Sequence, residues 1–208
     1  DINSILAGNG KGFASRYDWI NRAFDPLMKY EAGQICIISA PPGVGKSLFC
    51  MGEALTMAMA GAKVHYIALG DLKPKDFVVR MGAVYSGASF ADVQLNLQSI
   101  YKALNNAVGD RLGLTIVPSA KVTADQYIEY IKDKDYDVLF IDYDSNFLSS
   151  AADNLYSEYG KIYDRLTELS GIGKLVFIAS QPTKPSWKYE EINMEDIGES
   201  ARKVHSAD

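Results

Sequence analysis

Short apolar runs recur along the chain and alternate with longer stretches in which apolar residues repeat at helical spacing. Most of the short runs are continuous and rich in valine, isoleucine and phenylalanine, which is typical of strands buried on both faces of a parallel sheet. We therefore predict strands at residues 34–39, 64–69, 114–117, 138–142 and 175–180.

Helical periodicity fills the intervals between these strands. It predicts helices at residues 47–60, 74–85 and 154–170, a helix capped by Ser89 that runs to Leu104, and a helix that begins at a capping box of Thr123 and Gln126. The alternation predicts an α/β fold, doubly wound, with a mostly parallel twisted sheet and helices on both faces. We expect residues 1–15 to form a linker segment and residues 16–208 to form the domain, which opens with a short helix and turn within residues 16–31.

The composition suits one globular α/β domain, with 208 residues of which 48% are apolar and 23% charged. No apolar run approaches the roughly 20 residues that cross a bilayer. No signal-peptide pattern is present either, so we expect a cytoplasmic protein without membrane contact. Cys36 and Cys50 lack the spacing of metal ligands and are expected to be buried free thiols, as in a reducing cytosol. The net charge of −5 predicts that any contact with nucleic acid is local.

The segment Ala-Pro-Pro-Gly-Val-Gly-Lys-Ser at residues 40–47 follows the first predicted strand and opens the first long helix. It matches the phosphate-binding pattern G-x-x-x-x-G-K-[ST], with alanine in place of the first glycine. Such a turn exposes backbone N–H groups at a helix N-terminus, Lys46 reaches the β- and γ-phosphates, and the Ser47 hydroxyl binds Mg²⁺. We favour this interpretation over an ordinary turn and expect ATP and Mg²⁺ as ligands. The expected nucleotide contacts are Pro42, Gly43, Val44, Gly45, Lys46, Ser47 and Leu48.

Polar residues follow three of the predicted strands, at the sheet edge where ligands of α/β proteins gather. Asp142 is expected to hold Mg²⁺ and order the attacking water, although an aspartate there also occurs as a cap or turn residue. Asp71 could accept a proton from that water or could cap the helix at Pro74, and the pattern leaves both open. Gln181 is interpreted as a sensor of the γ-phosphate rather than as the start of a surface loop.

The last part of the chain combines an aromatic residue with several cations, a composition that can stack bases and bind phosphates. Acidic residues such as Glu190 and Glu195 are interleaved with them, so a solvated, charge-balanced loop is the default interpretation. The candidate residues for DNA contact are Lys184, Trp187, Lys188, Arg202 and Lys203.

Taken together, these segments resemble the RecA-like motor domain of the DnaB family of replicative hexameric helicases. The resemblance runs from about residue 12 to residue 208 and rests on five segments in order. They are the loop at residues 40–47, Leu69-Gly70-Asp71 with Arg80-Met81, Ile141-Asp142-Tyr143, Ser180-Gln181, and Gly198-Glu199-Ser200.

The resemblance implies a RecA-like P-loop NTPase that hydrolyses ATP and moves along single-stranded DNA as a six-membered ring. By resemblance, Lys46, Asp71, Asp142 and Gln181 would be catalytic, and Glu199 would belong to the DNA-facing loop. Primase and a helicase loader are the implied partners, in a bacterial cytosol. The family's arginine finger is expected beyond Asp208 and its primase-contacting domain before the first residue, so the chain is expected to be part of a longer protein.

Several positions depart from the family pattern. Asp71 stands where the family has glutamate, Gly198 replaces an arginine and Ala201 a glycine, and residues 144–146 read Asp-Ser-Asn where the family has Leu-Gln-Leu. These departures indicate a divergent member, consistent with a phage-encoded protein. Two alternatives stay open: a RecA-like recombinase or filament-forming ATPase, and a nucleotide-dependent assembly module with little hydrolysis.

Overall fold

The computed structural model describes residues 11–24, 29–70, 72–117, 123–144 and 155–182. Within these ranges the strands are β1 (Gly12–Phe13), β2 (Tyr30–Glu31), β3 (Ile35–Ser39), β4 (Val64–Leu69), β5 (Leu112–Val117), β6 (Val138–Asp142) and β7 (Leu175–Ser180). The helices are α1 (Asp18–Ala23), α2 (Lys46–Met59), α3 (Pro74–Ser86), α4 (Phe90–Leu95), α5 (Leu97–Val108), α6 (Ala124–Ile131) and α7 (Leu155–Gly171).

Five of these strands form one parallel sheet in the order β3-β7-β6-β4-β5. This architecture confirms the predicted α/β class and mostly parallel sheet. Each of the five predicted strands is present, with β3 beginning one residue later and β5 two residues earlier than the pattern indicated. All five run in one direction, so their carboxyl ends share one edge of the sheet.

Alternate residues of the central strands supply two apolar cores, one on each face of the sheet. Tyr66 and Phe140 belong to the core that includes residues of α2, α3 and α5. Ile67 and Ile141 belong to the second core, with residues of α6 and α7. Burial on both faces explains why these strands are continuous apolar runs in the sequence. No helix in the described ranges combines the length and apolarity that a membrane crossing requires.

The predicted long helix after Ser89 is two helices, because Asn96 leaves the helical conformation at φ −113° and ψ 24°. Ser89 does cap the first of them, with its side chain accepting a hydrogen bond from the backbone N–H of Asp92. The Asn96 side chain donates to the carbonyl of Asp92 at 3.0 Å. Such a bond to nearby backbone competes with continued helix. Thr123 and Gln126 form the capping box that the sequence predicts.

Residues 11–15, which we assigned to the linker, lie against the domain. β1 pairs with β2, the Phe13 side chain is buried, and Lys11 forms an ion pair with Asp137. The Ser15 hydroxyl donates to Oε1 of Glu53, a buried residue of α2, at 2.9 Å. These contacts satisfy backbone and side-chain groups that a free linker would leave to water, so the described part of the segment belongs to the folded unit.

Candidate nucleotide-binding site

The loop between β3 and α2 has the backbone of an anion cradle. Gly43 and Gly45 adopt positive φ angles of 82° and 102°, and Gly45 is the N-cap of α2. Apart from their chain neighbours, no described residue has a heavy atom within 4 Å of the position where a Cβ would stand at either glycine, so there is open space beside both. Only glycine adopts this left-handed conformation without steric cost, which lets successive N–H groups face one side.

Lys46 is the first residue of α2, and its Nζ donates a hydrogen bond to the carbonyl of Ala40 at 2.8 Å. The bond therefore joins the start of α2 to the first residue of the loop. Partial burial lowers the pKa of Lys46, and the nearby carboxylate of Asp142 opposes that effect. The ammonium group is partly withdrawn from water, and a bound phosphate nearby would favour its charged form.

An open cleft of about 440 Å³ lies above the carboxyl ends of the strands. It brings together most of the residues that the sequence singled out for nucleotide chemistry. Val44, whose side chain is 63% exposed, does not line it. The lining residues are Pro42, Gly43, Gly45, Lys46, Ser47, Leu48, Arg80, Phe90, Asp142, Tyr143 and Gln181.

Asp142 ends β6 and is only 6% exposed. Its Oδ2 accepts a hydrogen bond of 2.8 Å from the hydroxyl of Tyr66, a fully buried residue of β4. Burial and the Asp142 charge raise the pKa of Tyr66 well above its ordinary value, so this hydroxyl keeps its proton and acts as a donor. One carboxylate oxygen of Asp142 is thus held by the protein, and the residue lines the cleft.

The order of the strands determines where Gln181 lies. β7 pairs with β3 on one side and with β6 on the other, so its carboxyl end stands between the loop and Asp142. The backbone N–H of Ala40 donates to the carbonyl of Ser180 at 3.4 Å, and Gln181 follows directly into the cleft. Gln181 therefore lies between the loop and a carboxylate, and its role as a γ-phosphate sensor stays a prediction.

Asp144 lies next to the cleft-lining Tyr143, and the sequence analysis gave it no role beyond a departure from the family pattern. It is 1% exposed, and its Oδ2 accepts hydrogen bonds from Ser180 Oγ at 3.0 Å and from the hydroxyl of Tyr163 at 3.1 Å. Its place two residues after Asp142 is the one local signal that pointed to it. The two hydroxyl donors come from distant parts of the chain, which the pattern of apolar residues does not pair.

Arg80 and Phe90 also line the cleft without having been given a role from sequence. Arg80 belongs to α3 and Phe90 begins α4, so both come from the helices that follow β4. Among the described residues, Arg80 forms no ion pair in the structure, and Phe90 is 47% exposed. The cleft therefore has a second cation beside Lys46 and one exposed aromatic ring.

Several predicted site residues lie outside the described ranges. Asp71, the expected proton acceptor, is among them, although the buried Gly70 that precedes it is described and donates to Val117. The candidate DNA contacts Lys184, Trp187, Lys188, Glu199, Arg202 and Lys203 lie outside as well. Their roles stay predictions.

The donor atoms in the cleft fit Mg²⁺. Ser47 offers a hydroxyl and Asp142 a carboxylate, and both line the same cleft. Hard oxygen donors of this kind suit Mg²⁺, which commonly binds one or two protein groups and completes its shell with phosphate and water. Within the described residues no cluster of three or more histidine, cysteine or acidic side chains could hold a metal by itself.

Comparison with solved structures identifies the same fold in DnaB-like helicases. A DnaB-like replicative helicase, solved with its interactions with primase, aligns over the whole of this chain with a TM-score of 0.79 and 16% identity. The chain spans about half of that protein, 53% of its length. A solved ATPase domain also aligns over the whole chain, with a TM-score of 0.78, 15% identity and 78% of its own length covered.

A third similar structure is the flagellar accessory protein FlaH from Methanocaldococcus jannaschii. It has a TM-score of 0.58 and 15% identity over 95% of this chain and 77% of its own length. No protein-family model matches the sequence, and no curated protein sequence matches it. At these identities the structural likeness shows the fold alone, and the activity has to be argued from the cleft.

Proposed function

We propose that this chain is the ATP-hydrolysing motor domain of a DnaB-type replicative DNA helicase. The observation that carries the proposal is the convergence of Lys46, Asp142 and Gln181 on one cleft beside an open glycine loop. A cation, a carboxylate and a neutral amide around one cleft are groups that phosphoryl transfer uses. The fold supports the same conclusion.

In this proposal the loop amides and Lys46 bind the β- and γ-phosphates and stabilise the charge of the transferring phosphoryl group. Ser47 and Asp142 would hold Mg²⁺, which when bound neutralises phosphate charge. Gln181 contacts the γ-phosphate and transmits its loss to the segment that follows. Asp71 is the expected proton acceptor for the attacking water, and Arg80 adds positive charge to the cleft.

The oligomer, the DNA and the partners belong to the proposal too. A ring, most simply a hexamer, would bind nucleotide between neighbouring subunits, and one subunit would supply an arginine to the next. Such an arginine is worth about 10³–10⁵ in rate in well-studied NTPases. Single-stranded DNA would contact Lys184, Trp187, Lys188, Glu199, Arg202 and Lys203. Primase is a proposed partner by analogy with the similar helicase, and a loader is proposed from the resemblance of the sequence to the DnaB family.

The proposal is tested by ATP hydrolysis with and without single-stranded DNA, in the intact protein, in Lys46→Ala and in Lys102→Ala. Lys102 is an exposed lysine of α5, away from the cleft, so its substitution controls for the loss of one positive charge. We expect DNA to stimulate hydrolysis in the intact protein and in Lys102→Ala, and Lys46→Ala to lack activity. Equal rates in all three proteins would overturn the proposal.

One observation favours a second candidate function, a nucleotide-dependent assembly module. The flagellar accessory protein FlaH has the same fold, so the fold also serves proteins that are not named as helicases. Nucleotide binding without hydrolysis at every DNA concentration would favour this candidate. Electron microscopy with bound nucleotide would separate a ring from the filament of a recombinase-like ATPase.

A further inference from the structure

Ser180, the last residue of β7, joins two parts of the candidate site. Its carbonyl accepts the N–H of Ala40, the first residue of the loop, and its hydroxyl donates to Asp144, just beyond β6. The residue is fully buried. Because Gln181 is bonded directly to Ser180, any shift of Ser180 is passed to the backbone of Gln181.

The bond to Asp144 lies where the strand pairing stops. β7 pairs with β6 only as far as Ala179, which is level with Asp142, whereas on the other side β7 pairs with β3 through Ser180. The side-chain bond from Ser180 to Asp144 continues the connection by one more residue, up to the edge of the cleft.

Asp144 is itself well anchored. Its acceptor oxygen also receives the hydroxyl of Tyr163, a fully buried residue of α7, at 3.1 Å. Hydrogen bonds to a carboxylate are stronger than those between neutral groups, and a dry environment strengthens them further. Ser180 is therefore held against a fixed point of the core on the α7 side of the sheet.

We propose that Asp144 and Ser180 are positioning residues that hold Gln181 at the γ-phosphate, so that the site distinguishes ATP from ADP. This inference rests on the proposed nucleotide site and goes beyond it, because it names the residues that make Gln181 selective. The diphosphate part of the nucleotide contacts the loop and Lys46, and removing the Ser180 hydroxyl keeps the main-chain bond from the Ala40 N–H to the Ser180 carbonyl available. Loosening the link affects triphosphate binding and leaves ADP binding in place.

The test compares the affinities of fluorescent ADP and of a fluorescent β,γ-imido ATP analogue, both with Mg²⁺, in the full chain and in Ser180→Ala. We expect Ser180→Ala to reduce the preference for the triphosphate by roughly tenfold, which corresponds to about 1.4 kcal/mol, with ADP affinity unchanged. Ser39→Ala is the matched control. Ser39 lies opposite Ser180 on β3, and its buried hydroxyl has no hydrogen-bond partner among the described residues.

A second pair of variants keeps the test independent of folding defects. Tyr163→Phe removes one donor to Asp144, whereas Tyr136→Phe removes a buried hydroxyl that has no partner within the described ranges. We expect the former to lower the triphosphate preference and the latter to leave it unchanged. Asp144→Asn, which keeps an acceptor oxygen, should retain more of the preference than Asp144→Ala.

A double variant tests whether Ser180 acts through Gln181. In a Gln181→Ala background, Ser180→Ala should cause no further loss of triphosphate preference, because the residue through which it acts is gone. An intact preference in Ser180→Ala, or an equal loss with and without Gln181, would overturn the positioning role while leaving the nucleotide site standing. Absence of binding of either nucleotide to the intact protein would overturn the proposed function and this inference with it.

Discussion

The hydroxyl of Tyr66 donates a hydrogen bond of 2.8 Å to Oδ2 of Asp142, from the middle of β4 to the end of β6. Seventy-six residues separate the two in the chain, and both side chains are buried. The bond gives the carboxylate a donor that water would otherwise provide. It therefore lowers the free-energy cost of burying Asp142 beside the cleft.

Replacing Tyr66 with phenylalanine should therefore destabilise the nucleotide-free protein. The substitution leaves Asp142 without that donor, and a hydrogen bond to a charged group contributes about 1.5–3 kcal/mol. We expect the free energy of unfolding, measured by urea denaturation, to fall by an amount in this range. Tyr136→Phe serves as the comparison and should change stability much less, since its hydroxyl has no partner in the described ranges. Equal losses in the two variants would contradict the argument.

The pH dependence of stability should depend on Glu53, a fully buried carboxyl group of α2. Burial raises the pKa of Glu53, against the opposing hydrogen bonds from Ser15 and Arg16. The folded protein thus holds this proton more tightly than the unfolded chain, in which glutamate has a pKa of about 4.3. Stability associated with Glu53 must then fall as pH rises from that value through the raised pKa.

Glu53→Gln removes this titration and keeps an oxygen that can accept both hydrogen bonds. We expect the unfolding free energy of the variant to decline less than that of the intact protein between mildly acidic and neutral pH. Urea denaturation at a series of pH values measures both slopes. Identical slopes would mean that Glu53 does not titrate in this range.

The two loop glycines should not tolerate a side chain. Gly43→Ala or Gly45→Ala forces an L-residue into a left-handed conformation, which costs roughly 1–2 kcal/mol. There is space for the added Cβ, so the cost comes from the backbone, and relief of the strain would turn the N–H groups away from the cleft. We expect weaker binding of ADP and ATP by calorimetry. Gly171→Ala, in a helical position with open space, should leave binding unchanged.

Nucleotide affinity should fall at alkaline pH because Lys46 loses its charge. Burial lowers the pKa of Lys46. The free protein therefore loses this charge at a lower pH than an ordinary lysine, whose pKa is about 10.4. Phosphate favours the charged form, so ATP affinity should fall as pH rises through the lowered pKa, with proton uptake on binding. Calorimetry in buffers of different ionisation enthalpy measures that uptake. Lys46→Met should bind ATP more weakly and take up no proton on binding. Proton uptake of the same size in that variant would show that another group takes up the proton.

The sequence predicts the parts of the site that depend on local geometry. The loop is recognisable because Gly43, Gly45 and Lys46 each meet a requirement of their own position, and Asp142 because it ends an apolar run. The bonds of Tyr66 to Asp142 and of Ser180 to Asp144 were not predictable in this way. They depend on which strands are neighbours and on their register, and the apolar pattern of each strand fits several arrangements.

The helix break at Asn96 was not predicted from the sequence. There a single side-chain bond to the backbone competes with a strong helical pattern.

The position of β7 between β3 and β6 has a consequence for how this site can change over time. The gap between the loop and Asp142 corresponds to two steps between neighbouring strands, about 10 Å. Main-chain pairing sets this width, and amino-acid replacements in the surrounding helices leave main-chain pairing intact. The same gap can therefore occur in proteins that share this fold at low sequence identity, such as the similar helicase at 16%.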